Sequence, residues 1–260
     1  MAAAQDPLLI SQQISNNAKL GKLIFQEGTV YLRSLFDRYH APLELEDGLR
    51  SKIEILRSLR DSNLISPGEW KLLFPDDGSP PTSQNMEAHL LCVLLQNICG
   101  IPKPSTGWDK PPQISDEGNH LSGNLAKLNS LINKVAKQTT PVGVENTRFN
   151  FYWSEITNVF STLGFELPFS FEELKHQPMD KDDENKYNRL LNEWKMRNIQ
   201  NQNVAACIQE TTEKMNSVLQ RQEETILQLK QVSWIRLVRC ELDFIPLGTS
   251  NLILHFLSPF

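Results

Sequence analysis

The sequence predicts an all-α protein: a helical bundle, then one long coiled-coil helix, then a short irregular or β-prone tail. Three observations predict it. Apolar residues recur at three- and four-residue spacing through the first two-thirds of the 260 residues. No segment before residue 230 sustains a period of two. From residue 187 onward the apolar spacing tightens to a heptad pattern flanked by Glu, Gln, Lys, Arg and Asn.

The first helix is expected from Lys22 to Tyr39, with Ile24, Tyr31, Leu32, Leu35 and Phe36 on one face and Gly28 as an interruption. A second carries Leu49, Ile53, Leu56 and Leu59. Ser66-Pro67-Gly68-Glu69 supplies an N-cap, a proline at the first helical position and a capping-box glutamate. It opens a short helix with Trp70, Leu73 and Phe74 that Pro75 stops. Ser83 to Cys99 is the most apolar helix, carrying Leu90, Leu91, Val93, Leu94, Leu95 and Ile98, with Gly100 as its C-cap. Such a helix belongs at the centre of a core. The loop IPKPSTGWDKPPQ is too rich in proline to be helical, but its Trp108 calls for packing. Further helices are expected from Asp116 to Gln138 and from Asn146 to Leu163, the latter burying Phe149, Trp153, Ile156 and Phe160 and ending at Gly164.

The organisation so read is a flexible N-terminus (1–19), a helical domain (20–165), a linker (166–184), a coiled coil (185–231) and an apolar tail (232–260). The seam includes Leu191, Trp194, Ala205, Ile208, Met215, Leu219, Ile226 and Leu229, with Asn198, Asn201, Thr212 and Gln222 as polar interruptions. It joins the chain to itself or to a partner protein as an oligomer, or else it is one long helix folded back on the bundle. In the tail, Trp234 to Val238 and Leu252 to Leu257 read as short strands. The tail docks on the bundle, edges a further domain, or ends a truncated product.

Composition excludes several classes. A formal net charge of −5 offers no electrostatic funnel for phosphates. The four cysteines, Cys92, Cys99, Cys207 and Cys240, are too scattered for a zinc finger or RING and suggest no disulfide framework. Cys92 and Cys99 lie on one helix face about 10 Å apart, too far for a disulfide, and read as buried thiols. The start MAAAQDPLLI has no signal-peptide pattern and no apolar run is long enough to span a bilayer, so the expectation is a cytoplasmic protein without membrane contact. The acidic run Asp180 to Glu184 lacks the glycine and distal glutamate of a calcium loop and reads as the cap of the long helix. No metal or cofactor is expected.

Four stretches carry more than helical pattern: GTVYLRSLFD (28–37), LISPGEWKLLFP (64–75), LLCVLLQNICGIPKPSTGWDKPP (90–112) and FNFYWSEITNVFSTLG (149–164). Together they resemble the HEPN domain of the type found in the DAZ-interacting zinc-finger ubiquitin ligase and in other multidomain animal proteins. The resemblance spans about residues 20 to 165 and implies a four- to five-helix bundle. Many HEPN domains are metal-independent ribonucleases whose helix carries an Arg, a polar residue and then a His. The resemblance places those positions on Ile132, Asn133 and Gln138 in LNSLINKVAKQ (128–138). Isoleucine carries no charge for the phosphate, and glutamine cannot move a proton near neutral pH. The expected function is therefore a non-catalytic interaction module with coiled-coil oligomerisation, an adaptor or scaffold arm in signalling or ubiquitin-linked assemblies. The alternative is an RNA-binding HEPN protein. It would bind weakly, for instance over Lys103, Lys110, Trp108 and Tyr152, or cleave with displaced residues such as His120 and Arg148.

Overall fold

A computed structural model of the chain describes residues 7–110, 120–138, 143–166 and 170–242; the side chains of His120, Ser170, Ala205 and residues 237–242 lie outside that description. All regular structure among the described residues is helical. The chain divides into two compact units, Met1–Asn203 and Val204–Phe260.

In the first unit, α1 (Pro7–Lys22) runs through a π turn (Leu23–Glu27) into α2 (Gly28–Tyr39). Short helices α3 (Leu45–Ser51), α4 (Ile53–Asp61) and α5 (Pro67–Leu73) follow. Then come α6 (Ala88–Asn97), α7 (His120–Lys137), α8 (Asn146–Thr162) and α9 (Ser170–His176). The last helix, α10 (Lys181–Leu242), begins in the first unit and continues in the second.

The core forms around α6, where Leu90, Leu91, Cys92, Val93, Leu94 and Leu95 are all buried and α2 packs alongside. Helix α7 packs on α8, and α1 on α8. Each fully buried leucine here is worth about 1.5–3 kcal/mol relative to exposure.

The quoted sequence stretches each have a structural duty. Gly28 stands where a Cβ would come within 2.9 Å of Phe160 Cζ, so its absence lets α8 approach α2. Arg33 on α2 donates from Nε to the Ser83 carbonyl and from Nη2 to that of Met86, holding the approach to α6. Ser66 and Glu69 form the full capping box. Asn129 of α7 donates to the Trp108 carbonyl at 3.1 Å and to Asp109 Oδ1 at 2.9 Å, which ties the proline-rich loop to the bundle. Trp108 itself packs, half-buried, against the core. Helix α8 ends in a Schellman motif: Gly164 takes φ +83°, Phe165 N donates to Phe160 O, and Gly164 N donates to Ser161 O.

Three expectations are corrected. The segment 1–19 is not a flexible leader from Pro7 onward: α1 buries Ala18 and Leu20 together with Gln13, Asn16 and Asn17. Its buried face is rich in amides, which hides it from an apolar-periodicity reading. Asn16 Nδ2 donates to the Val144 carbonyl and to Asn146 Oδ1, and Asn17 Nδ2 donates to Asn188 Oδ1. The 166–184 stretch is not only linker, because it holds α9 and the start of α10. Asp180 caps α10, its Oδ1 accepting from the backbone of Asp182 and Asp183. Third, Trp234 to Val238 is helix, not strand. A short apolar run with β-branched residues fits either structure, and here the preceding helix continues through it. The expected strand Leu252 to Leu257 lies outside the described residues.

Candidate functional site

The residues expected from the resemblance, Ile132 and Asn133 on α7 and Gln138 just past its end, all have structural work. Ile132 is fully buried in the core. Gln138 Nε2 donates to the Tyr152 hydroxyl at 2.7 Å, joining the end of α7 to α8. Asn133 Oδ1 accepts from Trp194 Nε1 at 2.7 Å, fastening α10 to α7. None of these groups is free to carry charge or a proton to a substrate.

Trp194 is the centre of a second cluster. Its ring lies 5.9 Å from that of Phe25 and 5.6 Å, edge-on, from His89. Beside it Glu69, already a cap for α5, uses its other oxygen as a hub. His89 Nδ1 lies 2.9 Å from Glu69 Oε1, and Arg197 Nη1 donates to the same oxygen at 2.7 Å. Arg197 Nη1 is also 2.8 Å from His89 Nδ1. An arginine only donates, so His89 Nδ1 accepts from Arg197 when bare and donates to Glu69 when protonated. Burial by itself pushes the Glu69 carboxyl up. The hydrogen bond and charge of His89, with the hydrogen bonds from Ser66, outweigh it and hold the group well below the usual carboxylate range. One glutamate thus joins α5, α6 and α10.

These side chains border an open groove of about 200 Å³ whose walls include Phe25, Glu87, His89, Lys186, Glu193, Trp194 and Arg197. Tyr187, which also lines it, donates to Gln26 Oε1 at 2.5 Å. Burial, then the nearby Asp183, Glu27 and Asp180, push its hydroxyl up to about 12, so it stays protonated. The groove mixes acids and bases and presents no cationic face.

The seam residues divide by unit. Leu191 is fully buried and Trp194 nearly so, both within their own bundle, which removes them from any seam open to a partner. The close packing is set by Gly21, whose missing Cβ would meet Tyr187 Cβ at 3.0 Å and Leu191 Cδ1 at 3.3 Å. In the second unit Ile208, Met215, Leu219, Ile226 and Leu229 are 51–64% exposed. Sequence separation hid the Glu69–His89–Arg197 cluster; only the Glu69 capping box announced one of its members.

Of the other candidates, Lys103 and Lys110 are exposed in the proline-rich loop. Tyr152 is buried, its hydroxyl accepting from Gln138. Arg148 is exposed, and the His120 side chain lies outside the described residues. Cys92 and Cys99 are buried free thiols that burial pushes up to about 12, which leaves them poor nucleophiles. Cys207 is exposed. Among the described residues no group of three or more His, Cys, Asp or Glu is placed to hold a metal ion, and no helix is long and apolar enough to cross a membrane.

A family model described as DZIP3/hRUL138-like HEPN matches residues 42–187. The chain belongs to this HEPN family. The match ends on Tyr187, the first seam residue that α10 gives to the bundle. Over 161 residues the chain is 24% identical to the E3 ubiquitin-protein ligase DZIP3 of Homo sapiens, and equally to that of Mus musculus. The aligned segment is 61% of this chain and 13% of each relative, so the HEPN chain corresponds to a small part of those proteins. No solved structure matches the chain.

Proposed function

We propose that the chain is a non-catalytic HEPN interaction module that associates with itself through α10 and serves as an adaptor or scaffold arm in ubiquitin-linked assemblies. The observation that carries this reading is the row Ile208, Met215, Leu219, Ile226 and Leu229, solvent-facing at heptad spacing on a helix otherwise rich in charge and amides. Single exposed apolar residues are ordinary, but a regular stripe of them marks an interaction face. Pairing raises the effective affinity of a weakly binding module. The ubiquitin connection comes from the similar chains, which are E3 ubiquitin-protein ligases. The reading without ribonuclease chemistry is supported by the burial of Ile132 and the hydrogen bond of Gln138, the residues on which the resemblance places the arginine and the histidine.

Light scattering on the full chain and on an Ile208→Glu, Leu219→Glu double variant tests the reading. The parent is expected as an oligomer and the variant as a monomer of unchanged helical content. Incubation with a structured single-stranded RNA should give neither cleavage nor affinity that falls steeply with salt. Cleavage, or strong salt-dependent binding, would make the domain a nucleic-acid module instead.

A further inference from the structure

We infer that residues 204–232 pair with the same segment of a second copy in antiparallel orientation, about a two-fold axis at the level of Ser217. The inference deepens the self-association proposed above and rests on it.

The first observation is that the seam of the second unit is a palindrome. From Ala205 it reads Ala205, Ile208, Thr212, Met215, then Leu219, Gln222, Ile226, Leu229. Reversed, the order of apolar and polar positions is unchanged. Laid antiparallel about Ser217, Met215 meets the partner's Leu219, Ile208 meets the partner's Ile226, and Ala205 meets the partner's Leu229. The polar Thr212 falls opposite the partner's Gln222, whose amide can donate to the Thr212 hydroxyl oxygen, the hydroxyl itself donating to the Ile208 carbonyl. Beyond both ends the seam turns polar, at Asn198 and Asn201 on one side and Ser233 and Arg236 on the other.

A parallel pair in register also matches each layer to itself, so the palindrome permits the antiparallel form without selecting it. The flanks select it. One edge of the seam carries Val204, Thr211, Val218, Thr225 and Val232, all β-branched; the other carries Gln209, Asn216, Glu223 and Lys230, all polar. In a parallel pair each edge lies against the opposite edge of the partner. Val218 would then face Glu223 and Thr225 would face Lys230, leaving apolar surface against charge. With the helices antiparallel, like edges meet, because the two-fold axis brings each patch onto its own copy. Val218 then packs near the partner's Val218 beside the axis, and Val204 near the partner's Val232. Val218 and Val232 are half exposed in the single chain and need such cover.

Cysteine cross-linking of the full chain decides the orientation, in a background with Cys207→Ser and Cys240→Ser; Cys92 and Cys99 are buried. Under mild oxidation Val218→Cys should form a disulfide-linked dimer. Ile226→Cys alone should not, whereas a mixture of the Ile208→Cys and Ile226→Cys chains should. All three substitutions fall on exposed positions, so folding is not at stake. If Ile226→Cys cross-links by itself and Val218→Cys does not, the pair is parallel and this inference fails while self-association stands. A monomer by light scattering overturns both.

Discussion

The two parts of α10 share one heptad pattern and meet different fates. Between Lys181 and Asn203 the seam residues Tyr187, Leu191 and Trp194 are buried in the bundle that the chain itself builds, with glycine and asparagine on other helices shaped to receive them. From Val204 onward the same spacing presents half-exposed apolar side chains. Heptad periodicity therefore specifies that a helix has an apolar face. Whether that face is already covered is decided elsewhere in the sequence, at positions such as Gly21 and Asn133 that no periodicity marks.

Truncation should expose the contrast most strongly. Leu191→Ala is expected to destabilise the first unit by about 2–5 kcal/mol, the range for removing a buried leucine, read from chemical denaturation. Leu219→Ala should leave that transition unchanged within about 0.5 kcal/mol and act on oligomer stability instead. Equal effects of the two on unfolding would erase the distinction. Trp194→Phe keeps most of the packing but removes the donor to Asn133. It should cost about 1 kcal/mol through the partly buried acceptor left unmet, and a companion Asn133→Leu should recover part of that loss. Gly21→Ala forces α1 and α10 apart against Tyr187 backbone and Cβ. Overpacking costs about 1–3 kcal/mol and alanine's helix preference returns about 1 kcal/mol, so a small net loss is expected in a thermal melt.

The smallest effect concerns pH. Glu69 is held below its ordinary value of 4.5 in the folded chain. Its stabilisation is therefore complete above that value and is lost as pH falls below it. Glu69→Gln should be less stable than the parent at neutral pH, and the gap should narrow in melts taken below about pH 4.5. A gap that stays constant into acid would mean that the carboxylate's charge is not what joins α5, α6 and α10.

Legibility in the sequence followed the physics of each element. The central α6 was plain because nearly every position is apolar, and the box at Ser66 and the stop at Gly164 because their chemistry is local. Helix α1 was not, since Gln13, Asn16 and Asn17 lie on its buried face and the partners of the two asparagines lie far along the chain. Gly28 read as a helix interruption, whereas it is a point of approach for Phe160 behind a π turn. At the site, the sequence resemblance pointed to Ile132, Asn133 and Gln138. The roles that Asn133 and Gln138 perform were not legible, because each depends on a partner from another helix.

The unbroken run of α10 from Lys181 has a kinetic meaning. An isolated helix must first close a turn, an unfavourable step with an equilibrium constant near 10⁻³, roughly 4 kcal/mol. The buried turns around Tyr187 and Leu191 supply that starting turn, so the residues beyond Val204 extend a helix that already exists. In the proposed self-association two copies would meet with this helix already formed, and little helix should melt when the oligomer is diluted apart. A peptide of residues 204–242 alone lacks that seed. In circular dichroism it should show much of its helicity only at concentrations where it associates.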